Sequence, residues 1–296
     1  MFEKLNRFSV LLVPALLTLL LVPVKAIGIS FEPGDLFVSL ESGPVQWWLA
    51  NGTPRGVLVP RVQGTGEGMA FDLSGNLYVA RWCVDSMCSN GNTVEMYNTL
   101  GLSGGAIEGS FNCNPHAIVF DALGNGYVGQ AGCRGSILKF VSSQTDPIEF
   151  MVAPDTLGAF WIDLAPDGCT MFYTSWSPNV KRFDTCAGVQ LANFNAAPLP
   201  GGIAQDLRVL PDGGVLVSSG QVIARLDASG VLVQTYEVPG EGALWAGVDL
   251  VGDGTFWAGN YFSSNVYRFD LATSAVVFGF NTGTQPNSVV GIRVKK

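Results

Sequence analysis

MAFDLSGNLYVA, residues 69–80, and IVFDALGNGYVG, residues 118–129, are two versions of one phrase. Each is a short apolar run, a turn that ends in glycine, and a second apolar run. The phrase returns as IDLAPDGCTMFYTS (162–175), LRVLPDGGVLVSS (207–219) and VDLVGDGTFWAGN (248–260), and in a shorter form as ISFEPGDLFVS (29–39). Its turn glycines are Gly34, Gly75, Gly124, Gly168, Gly213 and Gly254, spaced by 41, 49, 44, 45 and 41 residues. Alternating apolar runs around a glycine turn read as paired strands. A unit of this length holding several strands is the signature of a β-propeller blade.

Each unit supplies further strands, among them SILKFV (136–141), VKRFD (180–184), VIARLD (222–227) and NVYRFD (265–270). Six units fill residues 27–296, so the expected fold is an all-β, six-bladed β-propeller with four-stranded antiparallel blades. SVVGIRV (288–294) resembles an inner strand whose glycine turn never arrives, and residues 34–38 continue it. The C-terminal strand is therefore expected to complete the first blade and close the ring, with residues 28–31 as the competing inner strand. Closure removes the exposed sheet edges that invite aggregation.

The chain opens MFEKLNRFSVLLVPALLTLLLVPVKAIG, with an apolar run of 16 residues over 9–24. That run is shorter than the roughly 20 residues of a spanning helix and contains Pro14 and Pro23. Residues 1–26 read as a secretory signal peptide cleaved after Ala26, rather than an anchor, which implies a secreted, extracellular or periplasmic protein. The remainder carries 13 Lys and Arg against 23 Asp and Glu, a net charge near −10. No basic footprint for nucleic acid exists. No second long apolar run follows, so no membrane partner is expected after cleavage.

Six cysteines in an exported chain favour disulfides, and with one histidine and no CxxC a zinc site is not supported. In an antiparallel hairpin the numbers of facing residues add to a constant. With Asp121 facing Asn125, Cys113 faces Cys133. With Trp176 facing Asn179, Cys169 faces Cys186. Cys83 and Cys88 are left to bridge the loop between two strands of the second unit.

The same counting places Glu67 opposite Arg81 and the sole histidine, His116, opposite Gln130. Eight residues before successive turn glycines stand Glu67, His116, Phe160, Gln205 and Ala246. This is the strand end that opens on the channel mouth. Loops on that face carry Trp82, Trp176, Asn260, Tyr261 and Phe262, and strand entrances carry Trp161 and Trp245. These aromatics either floor a ligand site or pack between blades. Trp47 and Trp48 alternate faces of one strand, which puts one in the core. The aspartates beside the glycine turns, Asp72 and Asp121 among them, are expected to cap local N–H groups. Asn51-Gly-Thr53 matches a glycosylation sequon.

The repeated apolar–Asp-x-x-Gly-Asn–apolar unit resembles NHL-repeat and SMP-30/gluconolactonase-like six-bladed propellers. The resemblance covers essentially all of residues 27–296 and implies divalent-metal ligands at the channel-mouth position in the lactonases. Here only Glu67 fits. Phe160 and Ala246 cannot bind a cation, Asp206 is one residue away, and Asp163 and Asp249 lie three residues deeper. A hard cation wants several oxygens. No cofactor is therefore expected, a divalent cation such as calcium in the channel being the alternative. The first expectation for function is a secreted binding or scaffold module taking a small molecule, glycan or protein at the channel mouth. The alternatives are a lactonase-like hydrolase or lyase with an altered site around Glu67, His116 and Asp206, and a structural module of an extracellular assembly.

Overall fold

The computed structural model describes residues 30–60, 63–85, 87, 91–107, 111–132, 135–142, 144, 146–242 and 244–296. The signal peptide read over 1–26, Cys88 and Cys133 lie outside the described residues. Among the described residues no helix is long and apolar enough to cross a membrane.

The strands form six four-stranded antiparallel sheets. The inner strands of blades 2 to 6 are Thr65–Phe71, Asn114–Phe120, Ile162–Leu164, Ala204–Val209 and Trp245–Leu250. Blade 1 takes its inner strand, Val289–Val294, from the C-terminus and its second, Leu36–Leu40, from the start. The inner strands touch one another in ring order, and Val289–Val294 lies between those of blades 6 and 2. The fold is a six-bladed β-propeller closed by its C-terminal strand. Phe31 donates its N–H to the Thr99 carbonyl of blade 2 and packs against Phe37 and Trp47.

The closing strand is held by burial. Val289, Ile292 and Val294 are fully enclosed, each worth about 1.5–3 kcal/mol. Trp47 and Trp48 are both core, where one was expected. Trp47 packs with Phe31 and Phe37 between blades 1 and 2, and Trp48 with Trp257 and Phe280 between blades 6 and 1. Both faces of a propeller blade meet a neighbour, so alternation along a strand does not separate inside from outside.

The glycine turns behave as local chemistry dictates. Asp72 Oδ1 accepts the N–H groups of Ser74 and Asn76, and Asp121 Oδ1 those of Leu123 and Asn125. Gly75 and Gly124 both sit at φ 82, in the left-handed region open to glycine. Asn51 is exposed, its side chain accepting the Thr53 N–H.

Cys169 and Cys186 form a disulfide with Cα atoms 5.2 Å apart. The pair is as expected, but the register is one residue off: Thr170 faces Asp184, and Thr185 donates to the Cys169 carbonyl. Trp176, in the connecting turn, sits at φ 53, where an L residue rarely stands. Adjacent positions near a strand end still lie within disulfide reach. Cys83 and Cys113 are also disulfide-bonded.

Candidate functional site

Every inner strand breaks its ladder at the same level. In blade 3 Pro115 pairs with Gln130 and Ala117 with Gly129, leaving His116 over. In blade 6 Ala246 is left over between Trp245 and Gly247, and in blade 1 Val290 between Val289 and Gly291. Glu67 and Gly68 together oppose one residue in blade 2, as do Gln205 and Asp206 in blade 5. In blade 4 both Phe160 and Trp161 bond to the backbone of Thr174. A β-bulge re-aims the side chain it carries. Six bulges at one level turn Val290, Glu67, His116, Phe160, Gln205 and Ala246 into a single cavity of about 420 Å³ at the channel mouth.

The bulges also correct the expected pairs. Arg81 faces Gly66, not Glu67, and Gln130 faces Pro115, not His116. Counting back from the turn assumes an unbroken ladder, and each bulge shifts it by one. Glu67 instead reaches across to the next blade, its Oε2 lying 3.3 Å from His116 Nε2. Burial opposes charge on both. It holds the His116 imidazole down to about 3 and, with Glu41 adding to it, raises the Glu67 carboxyl well above its usual range. Burial therefore disfavours charge on both partners.

Aromatic rings wall the cavity. His116 lies on Phe160 with centroids 3.7 Å apart, while Trp82 meets His116 edge-on at 5.7 Å and Trp176 meets Phe160 edge-on at 5.3 Å. Tyr261 completes the wall, and Glu41 is exposed at the rim. Two polar atoms there have no hydrogen-bond partner, His116 Nδ1 and Gln205 Nε2, on residues only 2 % and 4 % exposed.

Below the mouth the channel is filled. Trp161 of blade 4 crosses the channel so far that a Cβ on Gly68 of blade 2 would come within 2.8 Å of its ring, and one on Gly291 of blade 1 within 3.2 Å. Beneath it lies a charged plug. Arg208 donates to Asp206 at 2.6 Å and to Asp249 at 2.8 Å, and Arg293 adds to Asp249 at 3.7 Å. Asp163, Asp206 and Asp249 each also accept a backbone N–H from the inner strand of the next blade, at Val209, Val248 and Val294. Burial raises Asp206 to about 7 against the pull of Arg208; burial likewise opposes charge on Asp249, but Arg293 and Arg208 hold it below the usual range.

Compared with known proteins, the chain matches no family model and no curated protein. Its structure does match. A structure titled as a nidogen/laminin complex superposes with a TM-score of 0.71 at 15% identity, over 88% of this chain and 98% of that one. A protein of unknown function from Bacteroides caccae gives 0.69 at 14%, over 88% and 98%. Virginiamycin B lyase from Staphylococcus aureus gives 0.57 at 12%, over 75% and 71%. The likeness is one of fold. At such identities it carries no activity with it.

Of the twelve residues singled out for the mouth, Glu67, Trp82, His116, Trp176, Gln205 and Tyr261 line the cavity. The others serve the frame. Arg81 donates to Glu95 and the Gly43 carbonyl, tying blade 2 to blade 1. Gln130 is spent on Asn112, Ser136 and the Cys113 N–H. Trp161 is the floor, and Asp206 belongs to the plug. Trp245 donates to the Gln221 carbonyl between blades 5 and 6, and Asn260 to that of Gly242. Val290, Leu157 and Glu41 also line the cavity and were missed. Val290 has no turn glycine of its own to count from. The recurring Glu67-Gly68, Ala246-Gly247 and Val290-Gly291 pairs mark its level directly.

Proposed function

We propose that this chain is a secreted binding module whose ligand seat is the channel mouth. The observation that carries the reading is the pair of buried nitrogens, His116 Nδ1 and Gln205 Nε2, left without partners in an aromatic-walled cavity. A buried polar group with no partner costs about 1–3 kcal/mol. At the mouth both nitrogens belong to side chains that line a cavity, where a ligand would complete those bonds. The disulfides and the N-terminal apolar run support export. The repeat supports the NHL and SMP-30-like resemblance as architecture, and the mouth ring, with one carboxyl among six positions, departs from the lactonase metal set.

The test is a fragment screen by tryptophan fluorescence, since Trp82 and Trp176 stand in the wall. Fragments carrying an aromatic ring and an oxygen acceptor should quench, and Gln205→Leu should weaken them about tenfold, the loss of about 1.4 kcal/mol. If the folded protein binds none, or binds them equally well after Gln205→Leu, the mouth is not the seat.

A second reading rests on the Glu67–His116 pair, two groups with opposed shifts facing one cavity, the arrangement of an acid–base site. Lactone turnover abolished by Glu67→Gln would favour a hydrolase or lyase. Chelator sensitivity of that turnover would bring in a metal.

A further inference from the structure

The walls of the mouth select for charge as well as shape. Phe160 and Trp176 stand at 82° to one another, and Trp82 at 69° to His116. Rings set nearly at right angles form the sides of a box, with His116 lying on Phe160 in one wall. Among the described residues the polar groups that line the box are Glu41, Glu67, Thr65, Gln205, His116 and Tyr261, and none of them is a lysine or arginine. The ring faces carry negative quadrupole and Glu41 stands exposed at the rim, so the walls favour a cation over an anion. A bare metal ion is poorly served, because the walls are mostly carbon and offer few oxygens. An organic cation, weakly hydrated and covered in carbon, is well served.

We infer that the mouth takes a quaternary or tertiary alkylammonium ligand, its head held among Trp82, Phe160, Trp176 and Tyr261 beside Glu41 and Glu67. The cavity, at about 420 Å³, falls within the range of small-molecule sites and leaves room for an arm beyond the head. This rests on the proposal that the mouth is a ligand seat, and adds the class of ligand.

Choline and its uncharged carbon isostere, dimethylbutanol, have the same shape and the same hydroxyl. Calorimetric titration of the purified protein with each separates charge from shape. Choline should bind about tenfold or more tightly than the alcohol, the ratio that a desolvated cation–π contact supplies. Glu41→Gln, at the exposed rim where folding is not at stake, should weaken choline several-fold and leave the alcohol unchanged. Trp176→Leu should weaken choline by at least tenfold, with Trp82→Leu as the second variant should that one fold poorly. Equal binding of the two probes, both lost in Trp176→Leu, overturns the cation preference and leaves the seat standing. Binding of neither overturns the cation inference, and the fragment screen then judges the seat separately. Choline binding untouched by all three substitutions overturns the inference as well, because the cation would then sit elsewhere.

Discussion

The two halves of one channel are built on opposite principles. At the base, Asp163, Asp206 and Asp249 each serve two masters, a neighbouring arginine and the backbone of the next blade. At the mouth, the equivalent level of each blade carries a bulge, and the side chains it presents are held mostly by carbon. The base spends its polar groups on joining blades. Each level leaves buried nitrogens open, Arg293 Nε at the base and His116 Nδ1 and Gln205 Nε2 at the mouth, but only those of the mouth belong to side chains lining a cavity. Trp161, packed against glycines of the opposite blades, separates the two. The lesson is that a propeller can place structure and recognition a few residues apart along the same six strands, and that a shift of ladder register marks the boundary.

Removing the strand that carries both levels of blade 1 should have the largest effect. Truncation after Asn287 deletes Val290 from the mouth and Arg293 from the base, together with the buried Val289, Ile292 and Val294. Two of these aliphatic side chains alone represent about 3–6 kcal/mol, comparable with the whole stability of many domains. The truncated protein should be recovered as aggregate. A monomer with an unchanged melting temperature would show that the ring does not depend on this strand.

Matched substitutions at the two levels come next. Arg208→Met leaves buried carboxylates without their main counter-charge and should cost about 3–5 kcal/mol by denaturant unfolding. Gln205→Leu, three residues earlier on the same strand, removes an unpartnered donor. It should change stability by less than about 1 kcal/mol or raise it, while weakening ligands. Equal losses at the two positions would erase the distinction between plug and seat.

The smallest effect is a slope. In the unfolded chain His116 takes up a proton below its ordinary value near 6.5; in the fold, burial keeps it neutral down to about 3. The unfolded state binds the extra proton in that window, so His116 costs the fold stability as pH falls from about 6.5 towards 3. His116→Phe should therefore gain on the wild type as the medium is acidified, by up to about 1.4 kcal/mol per pH unit. A constant difference in melting temperature between pH 7 and pH 4 would place a charged imidazole in the native cavity.

The sequence alone determined the six blades, the aspartate-capped turns and the level of the channel mouth; it offered two strands to close the ring, and the structure chose Val289–Val294 over residues 28–31. These follow from local chemistry, because a glycine at φ 82 and an alternating run act within a dozen residues. Counting eight residues back from each turn found Glu67, His116, Phe160 and Gln205 for the same reason. Only the tertiary structure decided what those residues meet. Glu67 and His116 are 49 positions apart and touch across two blades, whereas the partners counted for them within their hairpins, Arg81 and Gln130, were displaced by a bulge. The charged plug was legible as residues, with Asp163 and Asp249 already three positions below the mouth, but not as a network, since its bonds run between blades. A hairpin fixes neighbours along the chain; closing the ring fixes neighbours around the axis, and in this protein the candidate site is made of the second kind.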